Sequence, residues 1–175
     1  RCSSDFDASG KPLRSVGTVQ DITKEKLAEE RLRVAAVAFE THEAIMITDA
    51  FDNIIRVNQA FEETTGYRAE EVLGKNPSIL NSGRQDKAFY AAMWRQLQNT
   101  GSWSGEIWDR HKDGQIYPKW LTITAVRNES GETTGYVGIF NDISERKKAD
   151  KMAAELTAGG KSPHFVQLVK DVVQE

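Results

Sequence analysis

The stretch Val137–Ala149, VGIFNDISERKKA, decides how the chain is organised, because its wording recurs near the start as VGTVQDITKEKLA, Val16–Ala28. The matching residues keep one register, at a constant offset of 121 positions: Gly17 and Gly138, Asp21 and Asp142, Lys26 and Lys147. Each copy runs from β-forming residues into Asp-Ile-Ser or Asp-Ile-Thr, which is a helix-capping signal. A repeated strand and helix predicts two units of one architecture. Residues 1–22 would then close a preceding unit, and one complete unit follows.

Composition and charge narrow the class of protein. The chain has 175 residues, of which 39% are hydrophobic and 28% charged, as expected for one globular domain with additional helices. No apolar run approaches the ~20 residues of a membrane span, and no secretory-leader pattern is present. A net charge of −3 with mixed signs argues against a nucleic-acid surface or membrane contact. A single cysteine, Cys2, excludes a disulfide framework and a cysteine-based metal site. We expect a cytoplasmic fragment of a larger protein.

Turn signals divide the complete unit into strands and helices. Apolar runs on either side of DAFDN, residues 49–53, predict two antiparallel strands. The segments NQAFEETTGY and RAEEVLG predict short helices that end at Gly66 and Gly74. Asp86 and Gly101 bracket a longer amphipathic helix. Three strands follow, separated by the turns HKDG and NESG. This order predicts an α+β domain with five antiparallel strands and with helices on one face.

Helical segments flank this domain on both sides. KEKLAEERLRVAAVAFETH carries acid–base pairs on one face and an apolar stripe on the other. The stripe is formed by Leu27, Leu32, Ala35 and Phe39. Such stripes pack on a partner helix or on the sheet, and we expect a homodimer formed through the flanking helices. ERKKADKMAAEL continues from the last strand as an output helix. A second stripe near the end of the chain predicts a tail helix of unknown role: Phe165, Leu168, Val169 and Val172.

Four phrases together resemble a PAS domain of the S-box type: ITDAFDNIIRVNQAFEETTGY, EEVLGKNPSIL, MWRQLQNTGSWSGEIWDRHKDGQIYPKWLTITAV and GYVGIFNDISERKKA. The third phrase is most similar to PAS copies in bacterial cyclic-di-GMP enzymes and sensor kinases. The resemblance implies the PAS fold, a five-stranded antiparallel sheet in the order 2-1-5-4-3. It also implies a sensory module in a bacterial multidomain signalling protein, acting on an output domain of the same chain.

The internal repeat, the helical stripes and the resemblance together divide the chain into five segments. They are residues 1–22, the C-terminal hairpin of a preceding PAS unit; 23–40, a linker or input helix; 41–143, the PAS domain; 144–158, the output helix; and 159–175, the tail helix.

The resemblance implies a ligand pocket without fixing its ligand. Light-sensing LOV domains need a cysteine where this chain has Pro77, and their flavin-contacting Asn pair falls on Asp109 and Lys119. We therefore expect no LOV-type FMN chemistry. Haem sensors commonly ligate iron from the long helix, and that helix carries none of the three histidines, His42, His111 and His164. A haem cofactor is accordingly not expected.

The flavin redox sensors of the family leave FAD open as a cofactor. Trp94 and Trp103 match the sequence of those flavin sensors and offer flat apolar faces to a planar ring. The carboxylate of Asp109 argues against flavin, because an ionised carboxylate only accepts hydrogen bonds. Both tryptophans would otherwise simply fill the core. The predicted pocket residues are Trp94, Trp103, Asn76, Ile79 and Asp109.

The end of the last strand is the predicted relay. Asp142 would cap the output helix and act as a hinge, with Ser144 and Arg146 beside it and with Arg146 or Lys147 as its ionic partner. No G-x-S-x-G, H-E-x-x-H or P-loop motif is present, so we expect a sensory module and not an enzyme. Two alternatives stay open. The first is a ligand-free dimerisation or scaffold module, and the second is the regulatory part of a cyclic-di-GMP enzyme or histidine kinase.

Overall fold

The computed structural model describes residues 2–6, 9, 11–17 and 23–158. It divides the chain into two compact units, Arg1–Ala38 and Phe39–Glu175. In the first unit, strands β1 (Cys2–Phe6) and β2 (Pro12–Gly17) form an antiparallel hairpin. Helix α1 spans Thr23–Phe39, and its last residue belongs to the second unit. The hairpin agrees with the expected strands. Its origin in a preceding PAS unit stays a prediction, and the predicted cap at Asp21 and the tail helix at 159–175 lie outside the described residues.

The second unit is built on a five-stranded antiparallel sheet. Its strands are β3 (Ala44–Asp49), β4 (Ile54–Val57), β5 (Ser102–Arg110), β6 (Ile116–Arg127) and β7 (Thr133–Asp142). They lie in the order β4-β3-β7-β6-β5. Numbered within the domain, this is the order 2-1-5-4-3, so the predicted topology is confirmed.

Short helices and one longer helix connect the second and third strands of this sheet. They are α2 (Gln59–Thr65), α3 (Ala69–Val72), a 3-10 helix (Pro77–Leu80) and α4 (Lys87–Thr100). The predicted brackets of α4 are confirmed. The Asp86 carboxylate accepts a hydrogen bond from the Phe89 N–H at 2.8 Å, and Gly101 ends the helix at φ 80°. Helix α5 (Ser144–Ala158) follows the last strand directly.

The core lies between one face of the sheet and these helices. Strand alternation sends every second side chain inward, and α2 and α4 pack against β3, β5 and β6. Phe61 of α2 meets Phe140 of β7 edge-on, with ring centroids 5.9 Å apart. The predicted apolar stripe of α4 also faces inward, since Met93 and Leu97 are buried. No helix in the described part of the chain is long and apolar enough to cross a bilayer.

Candidate ligand-binding cavity

A cavity of about 370 Å³ opens between the inner face of the sheet and α4. Met93 and Trp94 line it from the helix, and Leu121 and Ile123 line it from β6. Gly138 of β7 leaves part of the sheet wall without a side chain. The volume lies within the range of small-molecule sites, about 300–1,000 Å³. The inner face of the sheet is therefore not completely filled by the protein's own side chains.

Three of the five predicted pocket residues line this cavity: Trp94, Asn76 and Asp109. The ring of Trp94 meets Tyr136 of β7 nearly perpendicular, at 5.3 Å between centroids. Asn76 lies at the start of the 3-10 helix, where its side-chain oxygen accepts a hydrogen bond from the Ser78 N–H at 2.9 Å. Its side-chain amide donates to the Asp52 carbonyl at 3.3 Å, which ties this segment to the β3–β4 turn.

The other two predicted pocket residues, Trp103 and Ile79, are not among the residues that line the cavity. The Trp103 side chain is 8% exposed and lies over Gly105, and its ring meets Phe89 edge-on at 6.0 Å. Because Gly105 has no side chain, the indole can lie along its own strand instead of projecting into the cavity. Ile79 packs partly buried against the core, and its neighbour Leu80 lines the cavity in its place.

A buried ion pair forms part of the cavity wall. Lys119 Nζ lies 2.5 Å from Asp109 Oδ2, and both side chains are almost fully buried. The ammonium also lies 3.9 Å from the centroid of the Phe140 ring. Burial raises the pKa of Asp109, and the charge of Lys119 opposes that rise in pKa. Within the cavity wall, Asp109 and Lys119 are thus opposite charges that already neutralise each other.

The predicted pocket set omits Lys119, although the sequence contains the signal. The HKDG turn joins β5 to β6, so Arg110 pairs with Ile116 and Asp109 pairs with Tyr117. Side chains alternate along a strand, so Lys119 points to the same face as Tyr117 and lies diagonally across from Asp109. Counting outward from the turn would have placed the two charges together.

The β3–β4 turn forms another part of the wall. Asp52 lines the cavity and adopts a left-handed backbone, with φ at 62°. Burial raises its pKa, and the nearby charge of Asp49 raises it further. Asp49 accepts hydrogen bonds from the backbone of Phe51 and Asn53, both at 2.8 Å, which hold the turn in shape.

The predicted relay lies where β7 passes into α5. The carboxylate of Asp142 accepts a hydrogen bond from the Ser144 N–H at 2.7 Å, which caps the first turn. The Ile143 N–H, between Asp142 and Ser144 in the chain, donates a hydrogen bond to the Pro118 carbonyl of β6 at 3.0 Å. In the sheet, Asp142 is the direct partner of Lys119, the positively charged residue of the Asp109–Lys119 pair in the cavity wall. The cavity and the start of α5 therefore meet at one register position.

The prediction that Arg146 or Lys147 forms an ion pair with Asp142 is wrong. Lys147 forms its ion pair with Glu106 of β5, and its ammonium lies 5.4 Å from the Trp108 ring. Arg146, at the preceding position of the helix, is exposed. One turn into the helix, the side chain at 147 has passed the end of β7 and reaches β5, the edge strand on the far side of β6.

No group of three or more His, Cys, Asp or Glu side chains suited to a metal ion occurs among the described residues. His111 lies in the β5–β6 turn, where its Nδ1 is 2.9 Å from the Asp113 carboxylate. His42 precedes β3, and His164 lies outside the described residues.

Comparisons with known proteins agree with the fold. The family model for the PAS domain matches residues 42–145, more than half of the chain, and the chain therefore belongs to the PAS domain family. The nitrogen fixation regulatory protein of Klebsiella oxytoca is 38% identical over 101 residues, which are 58% of this chain and 20% of that protein. This chain spans about a fifth of the length of such curated relatives. It carries a sensory domain, and PAS domains are not catalytic.

Two solved structures give the same result. The PAS domain of a protein from Colwellia psychrerythraea has a TM-score of 0.62 at 29% identity and covers 66% of this chain and 98% of that chain. An RNA-binding Light-Oxygen-Voltage receptor has a TM-score of 0.65 at 27% identity, covering 84% of this chain and 41% of that chain.

Proposed function

We propose that the PAS domain senses a small ligand held in the cavity and relays its presence to α5. One observation carries this proposal: Lys119 in the cavity wall is the direct sheet partner of Asp142, which caps α5. A ligand that shifts Lys119 would act on the strand position where the output helix begins. The Ile143–Pro118 hydrogen bond and the Lys147–Glu106 ion pair join that helix to β6 and β5.

Flavin is one ligand for which the cavity offers partners. The pyrimidine edge of a flavin carries an N–H between two carbonyls, for which Asp109 supplies an acceptor and Lys119 supplies a donor. Trp94 would provide an aromatic wall. A bound flavin supplies redox chemistry and light absorption. Pro77 carries no thiol, so these residues would bind and orient the ring without forming a bond to it.

Partners and output belong to the same proposal. Helix α1 exposes Leu27, Val34 and Val37, a stripe suited to a second copy of the chain. The output domain would belong to the same polypeptide, in an enzyme or kinase that this module regulates. A ligand-free scaffold is the competing function, and the same exposed stripe favours it.

The test replaces Gly138 with alanine. A Cβ at this position would lie 3.7 Å from its nearest neighbours, so the variant should fold while filling part of the cavity. We expect its affinity for FAD, or for whatever small molecule copurifies with the wild type, to fall about tenfold. Absorption over roughly 300–600 nm and mass spectrometry of the released ligand give the readout.

The matched control is Val137→Ile, which adds a methylene on the opposite face of the same strand and should leave binding unchanged. Equal affinity of the wild type and Gly138→Ala would place the ligand outside the cavity. A wild type that neither copurifies with a small molecule nor binds FAD would favour the ligand-free scaffold.

A further inference from the structure

Two of the charged side chains in the cavity wall, Asp109 and Lys119, are matched to each other. Lys119 Nζ lies 2.5 Å from Asp109 Oδ2, and both side chains are more than nine-tenths buried. The surrounding wall is mainly apolar or aromatic, with Met93, Trp94 and Leu121 among its members. An ammonium has three donors and a carboxylate has about four acceptor sites, so the pair keeps unused hydrogen-bonding capacity after its own contact.

We propose that this pair makes the cavity selective for uncharged, flat ligands that present a donor and an acceptor on neighbouring atoms, as a carboxamide or a lactam does. The ligand N–H would donate to Asp109, and the ligand carbonyl would accept from Lys119. This inference rests on the proposed function, because it names the class of ligand that the sensing cavity takes.

Charged ligands are disfavoured because they break the balance of the pair. A ligand carboxylate that binds Lys119 leaves Asp109 as a second anion in a low-dielectric site, which is costly unless a proton is taken up. A ligand ammonium that binds Asp109 leaves Lys119 in the equivalent position. A neutral amide adds hydrogen bonds to both groups and leaves the net charge of the pair at zero.

The test uses three probes with one ring system and three charges: 2-naphthamide, 2-naphthoate and 2-naphthylmethylammonium. Each is titrated into the full chain at pH 7 by calorimetry. We expect 2-naphthamide to bind at least about tenfold more tightly than either charged probe. Titration of 2-naphthoate in two buffers of different ionisation enthalpy should reveal proton uptake.

The variant Asp109→Asn sharpens the test. Asparagine has the same shape as aspartate but no charge, so the positive charge of Lys119 is left without its partner. The preference should then reverse, with 2-naphthoate binding about tenfold more tightly than 2-naphthamide. Asp86→Asn is the matched control, since it removes the same negative charge at an exposed position. Asparagine can still cap the helix by accepting the hydrogen bond from the Phe89 N–H. It should keep the wild-type preference.

The outcomes separate this inference from the proposed function. Binding of 2-naphthoate to the wild type as tightly as 2-naphthamide, without proton uptake, would overturn the charge selectivity and leave a ligand-binding cavity in place. Absence of binding by all three probes would overturn both the selectivity and the use of the cavity for such ligands. The wild-type comparison decides the matter even if Asp109→Asn does not fold.

Discussion

The side chain of Asn58 joins several parts of the fold through its hydrogen bonds. It is 2% exposed, and its oxygen accepts hydrogen bonds from the Ile45 and Phe61 N–H groups at 2.8 and 3.0 Å. Its amide donates to two backbone carbonyls, of Phe39 and Glu43, at 3.0 and 2.9 Å. The Phe39 carbonyl, the start of β3 and the start of α2, all in the second unit, are therefore held by one fully hydrogen-bonded side chain.

Replacing Asn58 with alanine should lower the free energy of unfolding by about 3 kcal/mol, because buried donors and acceptors lose their partners. Urea unfolding measures this loss. Asn141→Ala is the matched control, since it removes an exposed amide with one hydrogen bond, to Glu43, and should cost less than about 0.5 kcal/mol. Equal losses in the two variants would contradict the role of burial.

The Asp109–Lys119 pair has a predictable effect on stability against pH. Burial raises the pKa of Asp109 above the 3.8 of an exposed aspartate, so the folded protein holds this proton more tightly than the unfolded chain. Between 3.8 and the raised pKa, stability therefore falls as pH rises.

The variant Asp109→Leu with Lys119→Met removes both charges together. The unfolding free energy of the wild type relative to this variant should fall as pH is raised from about 4 towards 7. Urea unfolding at several pH values measures the difference. A difference that instead grew with pH would mean that the ion pair lowers the pKa of Asp109 in the folded protein.

At the scale of elements, the first turn of α5 depends on its cap. Asp142→Ala removes the carboxylate that accepts the Ser144 N–H and should destabilise this turn by about 1 kcal/mol. Amides in the first turn of α5 should then exchange with deuterium about fivefold faster, while those of β7 stay protected. Ligand affinity should not change, because Asp142 does not line the cavity.

Asp86→Ala is the parallel variant for that experiment, since Asp86 caps α4 in the same way. It should speed exchange in α4 and leave α5 unaffected. Faster exchange throughout the sheet in Asp142→Ala would mean that the residue holds the whole domain together, and would remove its specific role at the output helix.

Elements bounded by capping and turn residues were predictable from sequence because their causes are local. Asp86, Gly66 and Gly101 mark helix ends through their own hydrogen bonds or their left-handed backbone. The alternation of β6 and the HKDG turn likewise fix the register with β5.

Features that depend on packing between elements were less predictable. Trp103 is inward-facing, as its strand position requires, yet the missing side chain of Gly105 lets the indole lie along the strand. Lys147 forms its ion pair with Glu106 of β5, and no sequence pattern in α5 predicts this partner. Trp94 and Asp109 were found because the resemblance pointed to their positions.

At the scale of the whole molecule, we predict that α1 joins two copies of the chain. Leu27 and Val34 are seven residues apart and are 54% and 58% exposed, the spacing of a coiled-coil seam. Leu27→Glu with Val34→Glu should convert a dimer into a monomer in sedimentation velocity. Lys26→Glu also changes charge on an exposed position of the helix and should leave the dimer intact. A wild type that sediments as a monomer at micromolar concentration would contradict the prediction.

The sheet order has a consequence for how this domain is reused. The first strand of the domain, β3, lies beside the last strand, β7, with Ala44 opposite Phe140 and the Asn141 amide bonded to Glu43. Adjacent strands are about 4.8 Å apart, so the chain enters and leaves the domain at nearly the same point. Such a module can be copied in tandem or inserted at a single site in a host polypeptide, without forcing the host chain to cross from one side of the fold to the other.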